Sequence, residues 1–349
     1  MRRHAPSPVL KGQTRVPASL SIESLLAPAD GARRRLLRAL GPRIGTLAAN
    51  REARVCVMAI VVVLGALASS ALIPLWMLAL GPIVLGVPHI VSDVRYLVVR
   101  PGYHRRLEVW VLAAAPLAVG AFTGRVTWGF IGAIGALVAA RTTPRRRAIG
   151  LAVAVPLAIV TWRLPGWSEL VFAHVHNFMG VALWWAWRPR TTRLHWIPLA
   201  LFAAASIALL LGAADPVLRW AASTGPTGAT TMVRHIGALA PFAGPTFGAR
   251  LVLLYAFAQS VHYGVWLRLV PEEDRPRPAP RGFASSYAAL RADFGGLPLI
   301  VCGALAVALA AWATRDLAVA RSGYLRFAVV HGQLEFAAAA LLWAEARRR

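Results

Sequence analysis

Four apolar stretches of the sequence carry histidines, which are the residues with the clearest capacity for chemistry. In three of these stretches a carboxylate or an amide stands one helical turn from a histidine and therefore on the same helix face. The four groups are His89 with Asp93 and Tyr96; His174 and His176 with Asn177; His262 with Tyr255, Gln259 and Trp266; and His331 with Tyr324 and Glu335. Neutral imidazole binds Fe, Zn or Cu, and a neighbouring carboxylate holds the ring in one tautomer. Facing helices of a bundle build metal sites in this way.

This pattern predicts a metal site formed by histidines of four helices. His174 and His176 are about 200° apart around a helix, so at most one of them faces a given site. The predicted ligands are His89, His174 or His176, His262 and His331. The residues predicted to orient the ligands or relay protons are Asp93, Asn177, Gln259 and Glu335.

Other roles remain open for the same residues. A membrane histidine also acts as a hydrogen-bonding contact between helices, and His–Asp or His–Glu pairs suit proton relay in a carrier. Bis-histidine ligation of haem is a third role, and a purely structural one is a fourth. The predicted topology places His89 and His262 at the inner or middle depth of the membrane, and the outer part holds His174, His176 and His331. One four-histidine site and two separate polar clusters are both compatible with these depths.

The remaining histidines and the cysteines fall outside this pattern. His104 and His195 lie in arginine-rich inner loops and His235 in an outer connection, so we expect solvated positions for all three. Cys56 and Cys302 both fall in apolar stretches and are too few for a metal cluster of their own or a disulfide framework. The sequence contains no Walker, dinucleotide-binding or GxSxG motif.

The elements that position the histidines must be membrane helices. Hydrophobic residues make up 58% of the 349 residues, against roughly 45–50% in soluble domains, and the mean hydropathy is +0.58. Uncharged stretches such as 55–74 and 196–213 are long enough to cross the hydrocarbon core as helices. Helices satisfy their own backbone groups in lipid, so the sequence predicts an all-α, polytopic transmembrane helical bundle.

Hydropathy predicts about ten spans. They are 55–73, 75–94, 109–123, 126–140, 148–163, 169–187, 196–213, 250–269, 296–314 and 324–345. The apolar segment 230–242 carries Arg234, His235 and Pro241 and is predicted to be an interfacial or re-entrant piece. With the N-terminus in the cytoplasm, 30 of the 38 lysines and arginines fall in inner segments, as the positive-inside rule requires. We therefore expect both termini in the cytoplasm, and a multi-pass protein of a bacterial-type inner membrane.

Three regions follow from these spans: a basic N-terminal cytoplasmic tail (1–54), a transmembrane domain (55–345) and a basic C-terminal end (346–349). The tail is predicted to begin with a mobile proline-containing stretch and to continue as an amphipathic helix, capped by Asp30, on the inner leaflet. The inner loop 271–281 is proline-rich and charged, and we expect it to be extended and solvated.

The net charge of +24 has an explanation that does not involve nucleic acid. The arginines cluster between the apolar segments, where they fix topology and meet anionic lipid headgroups. We therefore expect anionic lipid headgroups, and no nucleic acid, as partners of the basic segments.

The residues around His89 also suggest a family. The run Gly86–Asp93 (GVPHIVSD) resembles the G-x-P-H-G-x-x-D-type motif of the bacteriorhodopsin-related β-carotene dioxygenases, polytopic membrane proteins whose transmembrane histidines bind a non-haem iron. The resemblance implies oxidative cleavage of a long isoprenoid such as β-carotene to retinal. It also implies that His89 is the first iron ligand, with His174 or His176, His262 and His331 as candidates for the others. The HxxxH and HxxHH boxes of membrane desaturases are absent from the sequence.

Together these features predict a membrane-embedded, histidine-ligated metalloenzyme. We expect a non-haem Fe²⁺ oxygenase that acts on a lipophilic, carotenoid- or isoprenoid-like substrate entering laterally from the bilayer. The alternatives are a proton-coupled membrane transporter and a structural or haem-binding membrane subunit.

Reporter fusions test the predicted topology. A reporter fused after Arg349 should be active only in its cytoplasmic form, and one inserted near Thr224 only in its external form, because an odd number of spans separates the two positions. If both fusions report the same side, the number of spans predicted between them is wrong by an odd number.

Overall fold

The computed structural model describes residues 22–188, 192–226, 231–275 and 280–345, and within these ranges the regular elements are helices without any strand. The α-helices are α1 (Ile22–Ala39), α2 (Pro42–Ala49), α3 (Arg51–Leu72), α4 (Pro74–Asp93), α5 (Leu107–Val109), α6 (Ala115–Thr123), α7 (Thr127–Ala139), α8 (Pro144–Arg163), α9 (Pro165–Ala186), α10 (Trp196–Leu210), α11 (Asp215–Ser223), α12 (Met232–Leu239), α13 (Pro245–Gly264), α14 (Val270–Glu273), α15 (Phe283–Phe294), α16 (Gly296–Arg315) and α17 (Leu317–Glu345). The predicted helical bundle is confirmed. The prolines of the predicted mobile start and the basic end 346–349 lie outside the described residues.

Among the residues that the structure describes, five helices are long and apolar enough to cross a membrane. They are Arg51–Leu72, Pro74–Val99, Arg193–Leu210, Gly296–Arg315 and Leu317–Glu345. Each of the ten hydropathy segments lies on a helix to within a few residues. Large apolar side chains such as Phe122, Leu297 and Phe327 are exposed on the outside of the bundle, where a soluble protein rarely gathers them. These features indicate a membrane protein.

Helix α13 is the central element of the bundle. Its residues are buried almost without interruption from Val252 to His262, and it packs against α3, α4, α9, α10 and α12. Helix α17 packs against α4, α6, α7 and α16. The histidine-bearing helices α4, α9, α13 and α17 are therefore neighbours.

A proline in α4 helps to join that helix to α17. Pro82 has no N–H, so it leaves the carbonyl of Leu78, one turn earlier, without its usual helical donor. Arg321 of α17 donates to this carbonyl through Nε at 2.6 Å. An unpaired backbone carbonyl is costly inside a membrane bundle, so this contact favours the α4–α17 pairing that brings His89 towards His331.

A π-helical segment after α4 changes which of the following side chains face the site. Helix α4 continues as the π-helix Val94–Val99, whose wider turn rotates the residues beyond Asp93 away from the face expected for an α-helix. Tyr96 accordingly packs its ring 6.2 Å from that of Trp187. Two further π-helices lie within the described residues, Trp110–Ala114 before α6 and Val265–Leu269 after α13.

Asp30 does not cap its own helix, so that prediction is wrong. Helix α1 begins at Ile22, and Asp30 lies within it. Its carboxylate accepts the backbone N–H groups of Phe283 at 2.6 Å and of Ala284 at 3.1 Å, at the start of α15. The first N–H groups of a helix have no partner inside it, and Asp30 supplies one from a distant part of the chain. The N–H of Phe283 is the main cause that lowers the pKa of Asp30, against the opposing effect of burial.

The start of the loop 271–281 also differs from its prediction, because the loop begins inside helix α14 instead of as extended, solvated chain. Residues 276–279 of this loop lie outside the described residues. Glu272 and Glu273 are buried there. Glu272 pairs with Arg54 at 2.5 Å, and Glu273 pairs with Arg188. These ion pairs hold the start of the loop against the ends of α3 and α9.

Replacing Asp30 by alanine tests its capping role. Asp30→Ala removes both acceptors, so the amides of Phe283 and Ala284 should exchange with deuterium faster than in the wild type. A group with a lowered pKa contributes stability above its ordinary pKa, near 4 for aspartate. In the wild type, the two amides should therefore be protected from exchange at neutral pH. This protection, measured against the intrinsic exchange rate of an unstructured chain, should be lost as the pH falls below 4.

Glu23→Ala on the same helix is the matched control. It removes only an ion pair of 3.8 Å to the exposed Arg291, and such pairs contribute little. Equal amide exchange in the two variants would contradict the capping role of Asp30.

Candidate metal centre

Histidines of four helices converge on one point in the bundle. His89 of α4, His176 of α9, His262 of α13 and His331 of α17 pack ring against ring. The ring of His331 lies 4.6 Å from that of His89, 5.4 Å from that of His176 and 5.9 Å from that of His262. The centroid of the His262 ring lies 5.2 Å from that of His176 and 5.7 Å from that of His89. The sequence is compatible with one four-histidine site or with two separate polar clusters, and the structure brings the four histidines together in one cluster. We call these four residues the histidine cluster.

Two buried carboxylates flank the histidine cluster. Asp93 and Glu335 lie one turn after His89 and His331 on the same helices, and both are 0% exposed. One ligand atom from each of His89, Asp93, His262 and His331 lies within 4.8 Å of the others. Oε1 of Glu335 lies 3.4 Å from Nε2 of His262. The predicted orienting carboxylates are therefore at the site, and Asp93 is close enough to act as a ligand itself.

The protonation of two imidazoles follows from their backbone contacts. Nδ1 of His89 lies 3.1 Å from the carbonyl of Leu85, and Nδ1 of His331 contacts the carbonyl of Ala328. A carbonyl only accepts hydrogen bonds, so in each ring Nδ1 carries the proton and Nε2 presents a lone pair. The two Nε2 atoms lie 3.1 Å apart. Two lone pairs at this distance repel each other unless a cation, either a proton or a metal ion, binds there.

Asp93 adds negative charge to the same place. Neither of its carboxylate oxygens has a hydrogen-bond partner in the part of the chain that the structure describes. A buried carboxylate without a partner is strongly unfavourable, and buried charges in proteins are paired or coordinate metals. Imidazole nitrogens with a carboxylate form a donor set that suits Fe²⁺, Zn²⁺ and related ions. The residues present therefore fit a bound divalent cation.

Two glycines, which have no side chain, leave room for rings of the histidine cluster and for Phe172 beside it. A Cβ on Gly180 of α9 would lie 2.6 Å from Nδ1 of His262. A Cβ on Gly332 of α17 would lie 2.8 Å from the Phe172 ring and 3.2 Å from the His176 ring. The 2.6 Å and 2.8 Å distances are too short for a real Cβ contact, so a side chain at position 180 would displace the His262 ring and one at position 332 would displace the Phe172 ring that stacks on His176.

A cavity of about 260 Å³ connects the histidine cluster with one end of the bundle. All four histidines line it, together with Phe172 and with Glu169, which is exposed near the start of α9. This volume is near the lower end of the range for small-molecule pockets, roughly 300–1,000 Å³. The cavity can admit a small ligand or one section of a longer one.

The remaining predicted site residues divide between the cavity and its surroundings. The structure places His176, and not His174, in the histidine cluster, because Nε2 of His174 contacts the carbonyl of Leu239 at 2.9 Å. Asn177 lines the cavity and donates through Nδ2 to the carbonyl of Ala173 at 3.2 Å. Gln259 lines the cavity as well.

The prediction that the loop histidines are solvated is wrong for two of them. His195 is 0% exposed and His235 is 5% exposed, whereas His104 is partly exposed. Nδ1 of His195 lies 3.2 Å from Oε2 of Glu52, and Nδ1 of His235 contacts the carbonyl of Thr231 at 2.9 Å. The connections fold into short helices that pack on the bundle, which hydropathy alone does not reveal.

Sequence reasoning missed the contributions of two tyrosines. The ring of Tyr263 lies 4.7 Å from that of His89, although Tyr263 follows His262 directly and so points about 100° away from it. Tyr324 shares the helix face that carries His331, and its side chain also lines the cavity. For Tyr263 the sequence holds no signal, since its role depends on α4 packing against α13.

The motif that suggested a family lies at the histidine cluster. Gly86 packs closely against the ring of Tyr324, while His89 and Asp93 belong to the group of candidate ligands. Comparison of the chain with protein-family models, with curated proteins and with solved structures finds no match. The resemblance to the β-carotene dioxygenases stays a prediction based on these residues.

Gly180→Ala tests whether the geometry of the histidine cluster matters for metal binding. The new Cβ must displace the His262 ring, so we expect affinity for Fe²⁺ or Zn²⁺ to fall about 10–100-fold, as when a ligand loses its supporting contact. Metal titration of the purified protein against a chelator measures this change.

Gly65→Ala is the control, since a Cβ there meets nothing within 4 Å on the exposed face of α3. That variant should bind metal as the wild type does. It should also be neutral or more stable by up to about 1 kcal/mol, from helix propensity. Identical metal affinity in both variants would show that His262 is not a ligand.

Proposed function

We propose that this chain is a membrane-embedded, histidine-ligated metalloenzyme, a non-haem Fe²⁺ oxygenase for a lipophilic, isoprenoid-like substrate. The observation that carries the proposal is the pair of Nε2 lone pairs, from His89 and His331, that face each other across 3.1 Å beside the unpartnered carboxylate of Asp93. This arrangement is unfavourable without a cation and favourable with one.

His89, His262, His331 and Asp93 are the residues that would hold the ion, since one atom of each lies within 4.8 Å of the others. A bound iron supplies activation of O₂ or polarisation of a substrate oxygen. The carbonyls of Leu85 and Ala328 fix two of the rings. Glu335, whose Oε1 lies beside Nε2 of His262, would orient that ring, and its negative charge would offset part of the positive charge of the ion.

The spacing of the histidines favours a non-haem ion. Two imidazoles on opposite faces of a haem place their nitrogens about 4 Å apart, twice a metal–nitrogen bond of about 2.0–2.1 Å. The 3.1 Å between the Nε2 atoms of His89 and His331 is too short for this arrangement. The donor set also accepts zinc or copper, and the choice of iron rests on the resemblance of the run Gly86–Asp93.

A lipophilic substrate fits the surroundings of the cavity. The side chains of Phe172, Leu325 and Val329 are part of its lining, and the helices around it expose apolar surface on the outside of the bundle. Entry of a substrate from the bilayer, laterally between the helices, is part of this proposal. Cleavage of β-carotene to retinal is the specific reaction that the resemblance implies.

The proposed setting is a bacterial inner membrane. In this arrangement the ten helical segments all span the bilayer and both termini lie in the cytoplasm. Helix α1 exposes Leu25 and Leu36 alongside its arginines, and the exposed Leu40 follows directly after it, which suits a helix lying on anionic lipid headgroups.

A proton-coupled carrier is the second candidate, and one specific observation favours it. A single proton shared between the Nε2 atoms of His89 and His331 would also remove their repulsion, and histidine changes charge near neutral pH. Metal analysis separates the two candidates.

The test is metal analysis together with an absorption spectrum of the purified protein. We expect about one iron per chain and no Soret band. His331→Ala should lose most of the iron, because a methyl group cannot replace a ligand. Glu335→Gln should retain iron with affinity weakened about 10–100-fold, as is typical when the support of a ligand is lost.

His104→Ala is the matched control, since His104 lies in a 3₁₀ turn away from the histidine cluster, and it should keep its iron. If the purified wild-type protein contained no metal, the metalloenzyme proposal would be wrong and the carrier would be favoured. A Soret band would show haem.

A further inference from the structure

One arginine of the helix bundle has no carboxylate beside it. Arg321, near the start of α17, is partly buried, and its Nε donates to the carbonyl of Leu78 in α4 at 2.6 Å. Its two terminal nitrogens donate no hydrogen bond within the part of the chain that the structure describes, and neither of them is fully buried. An arginine inside a membrane bundle is costly unless it has a partner, so these two accessible donors call for an explanation.

Helix α12 brings two more basic side chains to the same place. Its Met232 belongs to one apolar cluster with Leu78, the residue whose carbonyl Arg321 binds. The next turn of α12 carries Arg234, which is exposed, and His235, which is 5% exposed. Both lie close enough to Arg321 to interact with it electrostatically. We call Arg234, His235 and Arg321 the basic cluster.

The basic cluster holds positive charge that no side chain of the described residues neutralises. Arg321 interacts with tyrosines and with Arg234, and His235 interacts with the two arginines, but no carboxylate acts on either of them. At the same end of the bundle, Arg250 of α13 pairs with Asp215 of α11. Like charges repel one another in a medium of low dielectric constant. The basic cluster is therefore unfavourable alone and becomes favourable when an anion binds.

The surroundings of the basic cluster place it beside lipid and apart from the candidate metal centre. None of its three residues lines the cavity that leads to the histidine cluster. Val233, next to Arg234, is 79% exposed, and Phe242, just after α12, is 57% exposed. A short helix that exposes apolar side chains together with an arginine suits the boundary between hydrocarbon and headgroups. Phosphate is the anion that lipid headgroups present at this depth.

We propose that the basic cluster binds a phosphate group, with Arg321 as the main donor and Arg234 as the outer cation. Guanidinium nitrogens match phosphate oxygens in geometry and form two parallel hydrogen bonds with them, and the two terminal nitrogens of Arg321 are accessible for this purpose. The phosphate belongs either to a phospholipid headgroup or to a free anion. Once bound, it would tie α12 to α17 at the point where Arg321 fixes α17 against α4.

Two probes distinguish the sources of the phosphate. Phosphatidylglycerol is titrated into the lipid-depleted full chain in detergent, and the bound lipid is counted by native mass spectrometry. Radiolabelled inorganic phosphate is tested on the same protein by equilibrium dialysis. Arg321→Gln should weaken binding about tenfold or more, as expected for lost hydrogen bonds to a charged group. Arg234→Gln should weaken it about two- to fivefold, as expected for an exposed charge.

Arg315→Gln is the matched control. Arg315 is exposed at the end of α16, close to Arg321 in the chain, so this variant loses the same charge at the same end of the bundle and should bind as the wild type does. Because Arg321→Gln also loses the contact with Leu78, Arg234→Gln alone decides the test if Arg321→Gln does not fold.

Binding of phosphatidylglycerol alone would identify a lipid headgroup as the ligand, and binding of inorganic phosphate alone would identify a free anion. The proposal is wrong if the wild type binds neither probe. It is also wrong if the folded variants at positions 234 and 321 bind as tightly as Arg315→Gln. Iron content should be the same in the wild type and in Arg234→Gln, because the basic cluster is separate from the candidate metal centre.

Discussion

The structure depends on one electrostatic constraint, the concentration of lone pairs and negative charge at a single point of a membrane bundle. Two imidazole nitrogens that both present lone pairs lie 3.1 Å apart, and the buried carboxylate of Asp93 lies within ligand distance of them. In a low-dielectric interior such interactions are many times stronger than in water. These groups repel one another when no cation is bound, and together they attract a cation. The arrangement is therefore favourable as a binding site and unfavourable as mere packing.

Several local features make this concentration possible. Pro82 frees a carbonyl that Arg321 binds, which fixes α17 against α4. The glycines Gly180 and Gly332 then let the rings approach closely enough to touch. Nδ1 contacts to carbonyls in the same helix hold the rings of His89 and His331 in one tautomer. Backbone chemistry, and not side-chain packing alone, therefore sets the orientation of the donors.

The sequence allowed prediction of the helices, of the histidine cluster and of its two carboxylates, because helix periodicity determines which residues share a face. It could not show which faces meet. The choice of His176 over His174, and the contacts of Tyr263 with His89, depend on the packing of separate helices. The role of Asp30 was missed for the same reason, since its partners at the start of α15 are about 250 residues away. The burial of His195 and His235 depends on short connecting helices that carry little hydropathy signal.

The rest of the molecule shows that the lack of a protein partner for Asp93 is specific to the site. At the ends of α3 and α9, arginines pair with the buried carboxylates of Glu272 and Glu273. Arg95 lies only two residues after Asp93, yet it pairs with Asp293 of α15 at 2.6 Å. A chain so rich in arginine, with a net charge of +24, thus supplies cations to these buried or partly buried carboxylates but places none against Asp93 within the described ranges. An arginine there would neutralise the charge and fill the space, whereas its absence keeps the negative charge available to a ligand cation.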